Sequence, residues 1–186
     1  MTKTQQLLTI AKEIETCKLC KKNAIGKAVP GEGDPDAEIM FIGEAPGKQE
    51  AKVGRPFIGR SGKLLRTMIK EIGLAEDGVY ITSPVKYLPS YGTPKVADIV
   101  HGRKHLNEQI AVIDPKFIVL LGSVASQAVL EEKIPVKTAH GQIIKRMGRT
   151  YFITVHPAAA LRFVPFRKLL SEDFTRLKKL VYEEKT

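Results

Sequence analysis

Three stretches of the chain carry residue types that do chemistry: Gly43-Glu44-Ala45-Pro46-Gly47 with Glu50 behind it, His156-Pro157-Ala158-Ala159-Ala160-Leu161-Arg162, and Cys17-Lys18-Leu19-Cys20. The first sets two carboxylates among five glycines within residues 43–62. A carboxylate can orient water or stabilise a developing cation. The glycines permit tight turns, which alone accounts for them, and they also let backbone approach a planar or phosphorylated ligand. The second stretch places a histidine after an apolar run, with a proline fixing the turn behind it. A lone histidine is more often structural than catalytic, so its position must argue for it. The third is half of a metal site: a tetrahedral ion or a cluster needs four donors, and the chain holds two cysteines. Two reduced structural cysteines, normal in a cytosolic chain, are the plainer account.

The elements that would position these residues follow from hydrophobic period. Leu7, Ile10, Ala11 and Ile14 recur at helical spacing and predict an amphipathic helix ending before Cys17. Residues 39–42 read as a short buried strand, and Ser61 is placed to cap a helix with the stripe Leu64, Leu65, Met68, Ile69 and Ile72, stopped by Gly73. A strand over 79–82 follows, then a helix over 96–113 broken by Asp114-Pro115, a strand over 117–121, and a helix from Gly122-Ser123. A strand over 151–155 and a last helix carrying Leu170, Phe174, Leu177 and Val181 complete the pattern. Segments 21–37 and 84–95 read as loops within one domain covering residues 1–186.

This β–α–β–α order predicts an α/β fold, a three-layer α/β/α arrangement around a mainly parallel sheet, with ligands bound beyond the C-terminal strand ends. The glycine loop and His156 both fall there. A hydrophobic fraction of 43% without an apolar run near twenty residues argues against a membrane span. The N-terminal residues lack the apolar centre of a secretory signal, so a cytoplasmic protein is expected. Thirty basic residues against twenty acidic ones give +10 and a pI near 9.6, which favours a polyanionic partner. The absence of a Gly-x-x-x-x-Gly-Lys-Ser/Thr run argues against a nucleotide-phosphate hydrolase or transferase.

Taken together and in order, the Gly-Glu-Ala-Pro-Gly loop, Pro56-Phe57-Ile58-Gly59, residues 79–86, the Leu121-Gly122 strand end and the His156 to Arg162 turn resemble family-4 uracil-DNA glycosylases. The resemblance spans Cys17 to Arg162. It implies a monomeric enzyme that rotates a uracil nucleotide out of DNA and cleaves its N-glycosidic bond, leaving an abasic site. It implies that Glu44 and Glu50 place water or stabilise the cationic sugar, with loop anchoring the alternative for Glu50, and that His156 donates to the uracil oxygen that becomes anionic. Phe57 would stack on the base, a contact typically contributing ~1–3 kcal/mol. Gly43, Ala45, Pro46, Gly47 and Ser83 would line the base pocket, and Lys63, Lys86 and Arg162 would contact phosphates. The reading requires Glu44 and His156 to face one cavity.

Two departures qualify the resemblance. Ser83 stands where the family places an asparagine that reads the uracil edge; one hydroxyl cannot span two base atoms, and a missing buried hydrogen bond costs ~1–3 kcal/mol. The family's [4Fe-4S] cluster uses four cysteines; here Cys17 and Cys20 form the first pair, while Tyr87 and Gly102 hold the third and fourth positions. His101 flanks Gly102, and His105 lies one helical turn on. The favoured expectation is loss of the cluster and no cofactor; the alternative keeps a metal on Cys17, Cys20 and one or both histidines. A noncatalytic protein that binds DNA or abasic sites is the rival to the active enzyme.

Overall fold

Uninterrupted apolar strands need cover on both faces, and the chain supplies it. In a computed structural model describing residues 1–183, helix α1 (Lys3–Thr16) and the single turn α2 (Lys18–Lys21) lead into β1 (Ala24–Ile25), β2 (Glu32–Gly33) and β3 (Ile39–Ile42). Then come α3 (Lys48–Val53), α4 (Arg60–Glu71), β4 (Tyr80–Thr82), β5 (Leu88–Pro89) and α5 (Val96–Ile113). The chain continues through β6 (Phe117–Leu121), α6 (Ser123–Leu130), α7 (Val136–Ala139), β7 (Ile143–Arg146), β8 (Arg149–Thr154), α8 (Pro157–Arg162) and α9 (Val164–Glu183).

Six strands form the main sheet in the order β2-β4-β3-β6-β8-β7. The four inner strands are parallel, and β2 and β7 close the edges antiparallel. Successive side chains on a strand point to opposite faces. Ile39, Phe41, Phe117, Val119, Leu121 and Phe152 therefore pack under α4 and α9 with Leu65, Ile69, Phe174 and Leu177. Met40, Ile42, Ile118, Leu120, Tyr151 and Ile153 pack on the other face under α5 and α6, against Ile99, Leu106, Ile110, Ala125 and Ala128. This is the expected three-layer α/β/α fold.

Several local features differ from expectation. Helix α4 starts at Arg60 with Gly59 as its N-cap, so Ser61 lies inside the first turn and caps nothing. Both loops expected over 21–37 and 84–95 contain short paired strands: β1 joins β5 (Ala24↔Pro89, Ile25↔Leu88) and β2 extends the main sheet beside β4. Two-residue strands carry too little period to be seen in sequence. The β1–β5 clasp holds Tyr87 in a small third cluster with Ile10, Ile14 and Ala28 beneath α1. Among the described residues no helix is long and apolar enough to cross a membrane.

Candidate active site at the carboxyl ends of the parallel strands

The parallel strands deliver their loops to one end of the sheet: β3 runs into Gly43-Glu44, β4 into Ser83, β6 into Gly122 and β8 into Val155-His156. Backbone bonds hold these ends level, with Gly43 N–H donating to Thr82 O (2.9 Å) and Gly122 N–H to Thr154 O (2.9 Å). They bound a cavity of about 520 Å³ lined by Glu44, Ala45, Pro46, Gly47, Glu50, Phe57, Ser83, His156 and Arg162. Glu44 and His156 thus share one cavity. A larger groove of about 1150 Å³ runs beside α1 and β2. Its charged lining is Glu15, Lys21, Lys27, Glu32 and Arg55, the last two paired with each other at 2.7 Å, and it holds neither a histidine nor a cysteine.

His156 is the N-cap of α8, where its Nδ1 accepts from Ala158 N–H at 3.1 Å. An accepting Nδ1 carries no hydrogen, so the neutral ring bears its proton on Nε2, the atom left to donate. Burial, reinforced by the charge of Arg162, pulls the His156 pKa down to about 4. The ring is therefore a neutral donor across the physiological range. Burial pushes the Glu44 carboxyl above its ordinary range, with Arg162 opposing the shift. No side-chain hydrogen bond to the Glu44 carboxylate occurs among the described residues. An anion able to meet developing positive charge and a neutral donor able to meet developing negative charge suit a bond that breaks heterolytically.

Phe57 is buried and its ring lies 5.9 Å from that of His156, tilted by 30°. Its φ of +51° is in the left-handed region, which for a bulky side chain costs about 1–3 kcal/mol. Two charged groups impose it. Arg66 donates from Nε to Phe57 O (2.8 Å) and from an Nη to Pro56 O (2.8 Å), and is itself paired with Glu32 at 2.6 Å. Glu50 Oε1 accepts from Ile58 N–H (2.8 Å) and Gly59 N–H (2.7 Å), satisfying donors at the start of α4. Gly43 completes the arrangement from below: a Cβ there would come within 2.4 Å of the Phe57 ring.

Glu50 borders the cavity and its carboxylate accepts from two loop amides, the geometry of the anchoring alternative, while Lys86 departs from its expected role. Lys86 is 2% exposed and cannot reach a phosphate. Its Nζ donates to Thr82 Oγ1 (2.7 Å), Gln109 Oε1 (2.7 Å) and Pro30 O (3.0 Å), bracing β4 against α5, and burial lowers its pKa to about 7. A lysine at a loop start looks identical in sequence whether it points in or out. Arg162 is exposed at the cavity mouth, and Lys63 is exposed on α4 outside the lining. Sequence reading missed Arg66, which gave no signal beyond helical charge, and also Thr93 and Phe163 in the lining. Phe163 had a readable one, an apolar aromatic directly after Arg162.

A second cluster lies outside this cavity. Cys17, Cys20, His101 and His105 each present a donor atom, all within 4.8 Å of one another. Cys17 caps the start of α2 and Cys20 lies within it, and the two histidines lie one turn apart on α5.

Residues 30–177 match the family described as the uracil DNA glycosylase superfamily. The chain is 42% identical over 190 residues to the type-4 uracil-DNA glycosylase of Sulfurisphaera tokodaii, covering 95% of this chain and 85% of that protein. It is 43% identical over 183 residues to the Saccharolobus solfataricus type-4 uracil-DNA glycosylase, covering 91% and 83%. To that of Thermotoga maritima it is 32% identical, over 98% of both chains.

Proposed function

The chain belongs to the uracil DNA glycosylase superfamily, and from that membership we propose that it is a uracil-DNA glycosylase, hydrolysing the bond between uracil and deoxyribose to leave an abasic site. The observation that carries this reading is the single cavity onto which Glu44 and neutral His156 both face.

Chemistry follows from the two groups. A nucleotide swung out of DNA enters the cavity and lays its base against Phe57. As the C1′–N1 bond lengthens, its electron pair moves into the base and gathers on a carbonyl oxygen, where the His156 Nε2–H hydrogen bond strengthens. The sugar becomes cationic, and the Glu44 carboxylate stabilises it. Water adds to C1′ and loses a proton to Glu44, and the base departs as an anion later protonated by solvent. Ser83 lies in the lining where it can meet the base edge with one hydroxyl. Arg162 and Lys63 serve as phosphate contacts, and the +10 charge steers the polyanion toward the site. A cytoplasmic setting accords with two free cysteines.

The test is incubation with oligonucleotides holding uracil, hypoxanthine or xanthine, single- and double-stranded, followed by alkali treatment. Strand scission at uracil is expected. Intact binding with no scission of any substrate would instead identify a noncatalytic binder.

A further inference from the structure

We propose that Cys17, Cys20, His101 and His105 hold one zinc(II) ion in a closed, tetrahedral structural site. The spacing is Cys-x-x-Cys followed by His-x-x-x-His, the pattern in which two thiolates and two imidazoles complete a zinc tetrahedron. A helix puts residues four apart on one face, and His101 and His105 stand so on α5, their ring centroids 5.9 Å apart and their planes near perpendicular at 88°. Cys17 Sγ lies 3.2 Å from His101 Nε2, and all four donors lie within 4.8 Å of one another. Zn–S bonds of ~2.3 Å and Zn–N bonds of ~2.0–2.1 Å place tetrahedral donors roughly 3.3–3.8 Å apart. Closure therefore asks for shifts of about one ångström.

An independent observation marks His105 as a ligand. It is 3% exposed, and neither of its ring nitrogens has a hydrogen-bond partner. Orphaned buried polar atoms are rare and costly, and a metal ion would satisfy one of these. His105 Nδ1 lies 3.4 Å from Glu108 Oε2, too poorly aligned to count as a hydrogen bond and equally unpartnered. A small ring rotation turns that approach into the carboxylate–histidine–metal arrangement that orients zinc-bound imidazoles, leaving Nε2 for the ion.

The same residues do not fit the family's four-iron cluster. That cluster takes four cysteines, and this chain has two. At Gly102, the fourth cluster position, any Cβ would lie 2.1 Å from Pro84 O, so no side chain can stand there. Tyr87, at the third, is buried with the apolar residues beneath α1. A two-iron cluster with mixed ligands fits this geometry less well than a single ion, because its cysteine pair and histidine pair sit on different irons, whereas Cys17 Sγ and His101 Nε2 here lie 3.2 Å apart. Four protein donors leave no open position for water, and none of the four residues lines the Glu44–His156 cavity. The ion would pin the Cys17–Cys20 turn to α5, replacing with one small ion the fastening a cluster provides.

The test is elemental analysis and X-ray absorption of the full-length wild-type protein, purified anaerobically from cells supplied with both zinc and iron. We expect one zinc per chain, no acid-labile sulfide, and a zinc shell of two sulfurs and two nitrogens. Stripping with a chelator lowers Tm by at least about 5 °C, and added zinc restores it. His101→Ala and His105→Ala each lose stoichiometric zinc, while His105→Cys retains it. Four irons with sulfide, no stoichiometric metal, or a zinc shell without two nitrogens would each overturn the proposal. Should the alanine variants fail to fold, the wild-type absorption spectrum decides alone. None of these readouts depends on glycosylase activity.

Discussion

Replacing His156 with alanine separates two things the side chain does. Losing a preorganised donor to a developing oxyanion lowers the chemical step by about 10²–10³, or about 2.7–4 kcal/mol. Losing the Nδ1 cap on Ala158 N–H costs stability of about 1 kcal/mol, so the variant stays folded. The protonation of the ring supplies the deeper test. Its pKa is about 4 in the folded chain against 6.5 for the free residue, a displacement equivalent to about 3 kcal/mol in favour of the neutral form. Between pH 6.5 and 4 the unfolded chain binds the proton and the folded chain does not. The stabilising contribution is therefore complete above pH 6.5 and is lost as pH falls through this window. Wild-type protein should lose up to about 3 kcal/mol there that His156→Ala does not. Single-turnover release of abasic sites, urea titrations at pH 7 and 4.5, and ¹⁵N NMR of the ring give the three readings. An unchanged rate in the variant, or a ring proton on Nδ1 at pH 7, refutes the neutral-donor mechanism.

Glu50→Ala removes two charged hydrogen bonds and should lower unfolding free energy by about 2–4 kcal/mol with a large loss of activity, whereas Glu50→Gln keeps an acceptor and should recover most of both. Equal inactivation by Gln and Ala, measured by the same rates and urea curves, would return Glu50 to the chemistry. Ser83→Asn restores a paired donor and acceptor and should raise discrimination of uracil over cytosine about tenfold or more in competition assays. No sharpening would mean Ser83 does not read the base edge. Arg162→Ala should reduce the salt slope of DNA binding by about one, while Lys86→Met leaves it unchanged and shifts only stability; a Lys86 effect on the slope contradicts its interior position.

The layers of the fold were legible because long apolar elements announce their period: the helix over 96–113 and the strands over 39–42 and 117–121 have the bounds read from sequence. The strand β7, with mostly exposed residues, offered no apolar alternation to read. For the site, sequence order brought Glu44, Phe57 and His156 to the strand ends, because a parallel sheet leaves its loops nowhere else to go. What it could not give was the direction of charged side chains. Glu50 and Lys86 both turn inward to satisfy backbone and hydroxyl groups created by the folding of distant segments, and Arg66 braces carbonyls nine and ten residues before it. These partners exist only once the chain has closed on itself.

The strained backbone at Phe57 carries a kinetic consequence. An aromatic wall free to swing would have to be frozen each time a base arrived, and the entropy of that freezing would be subtracted from every encounter. Here Arg66 and Glu50 have immobilised the wall during folding, so an everted base meets a surface already at rest. Loosening either clamp should therefore slow capture of the extruded nucleotide even where every group that touches the substrate is left in place.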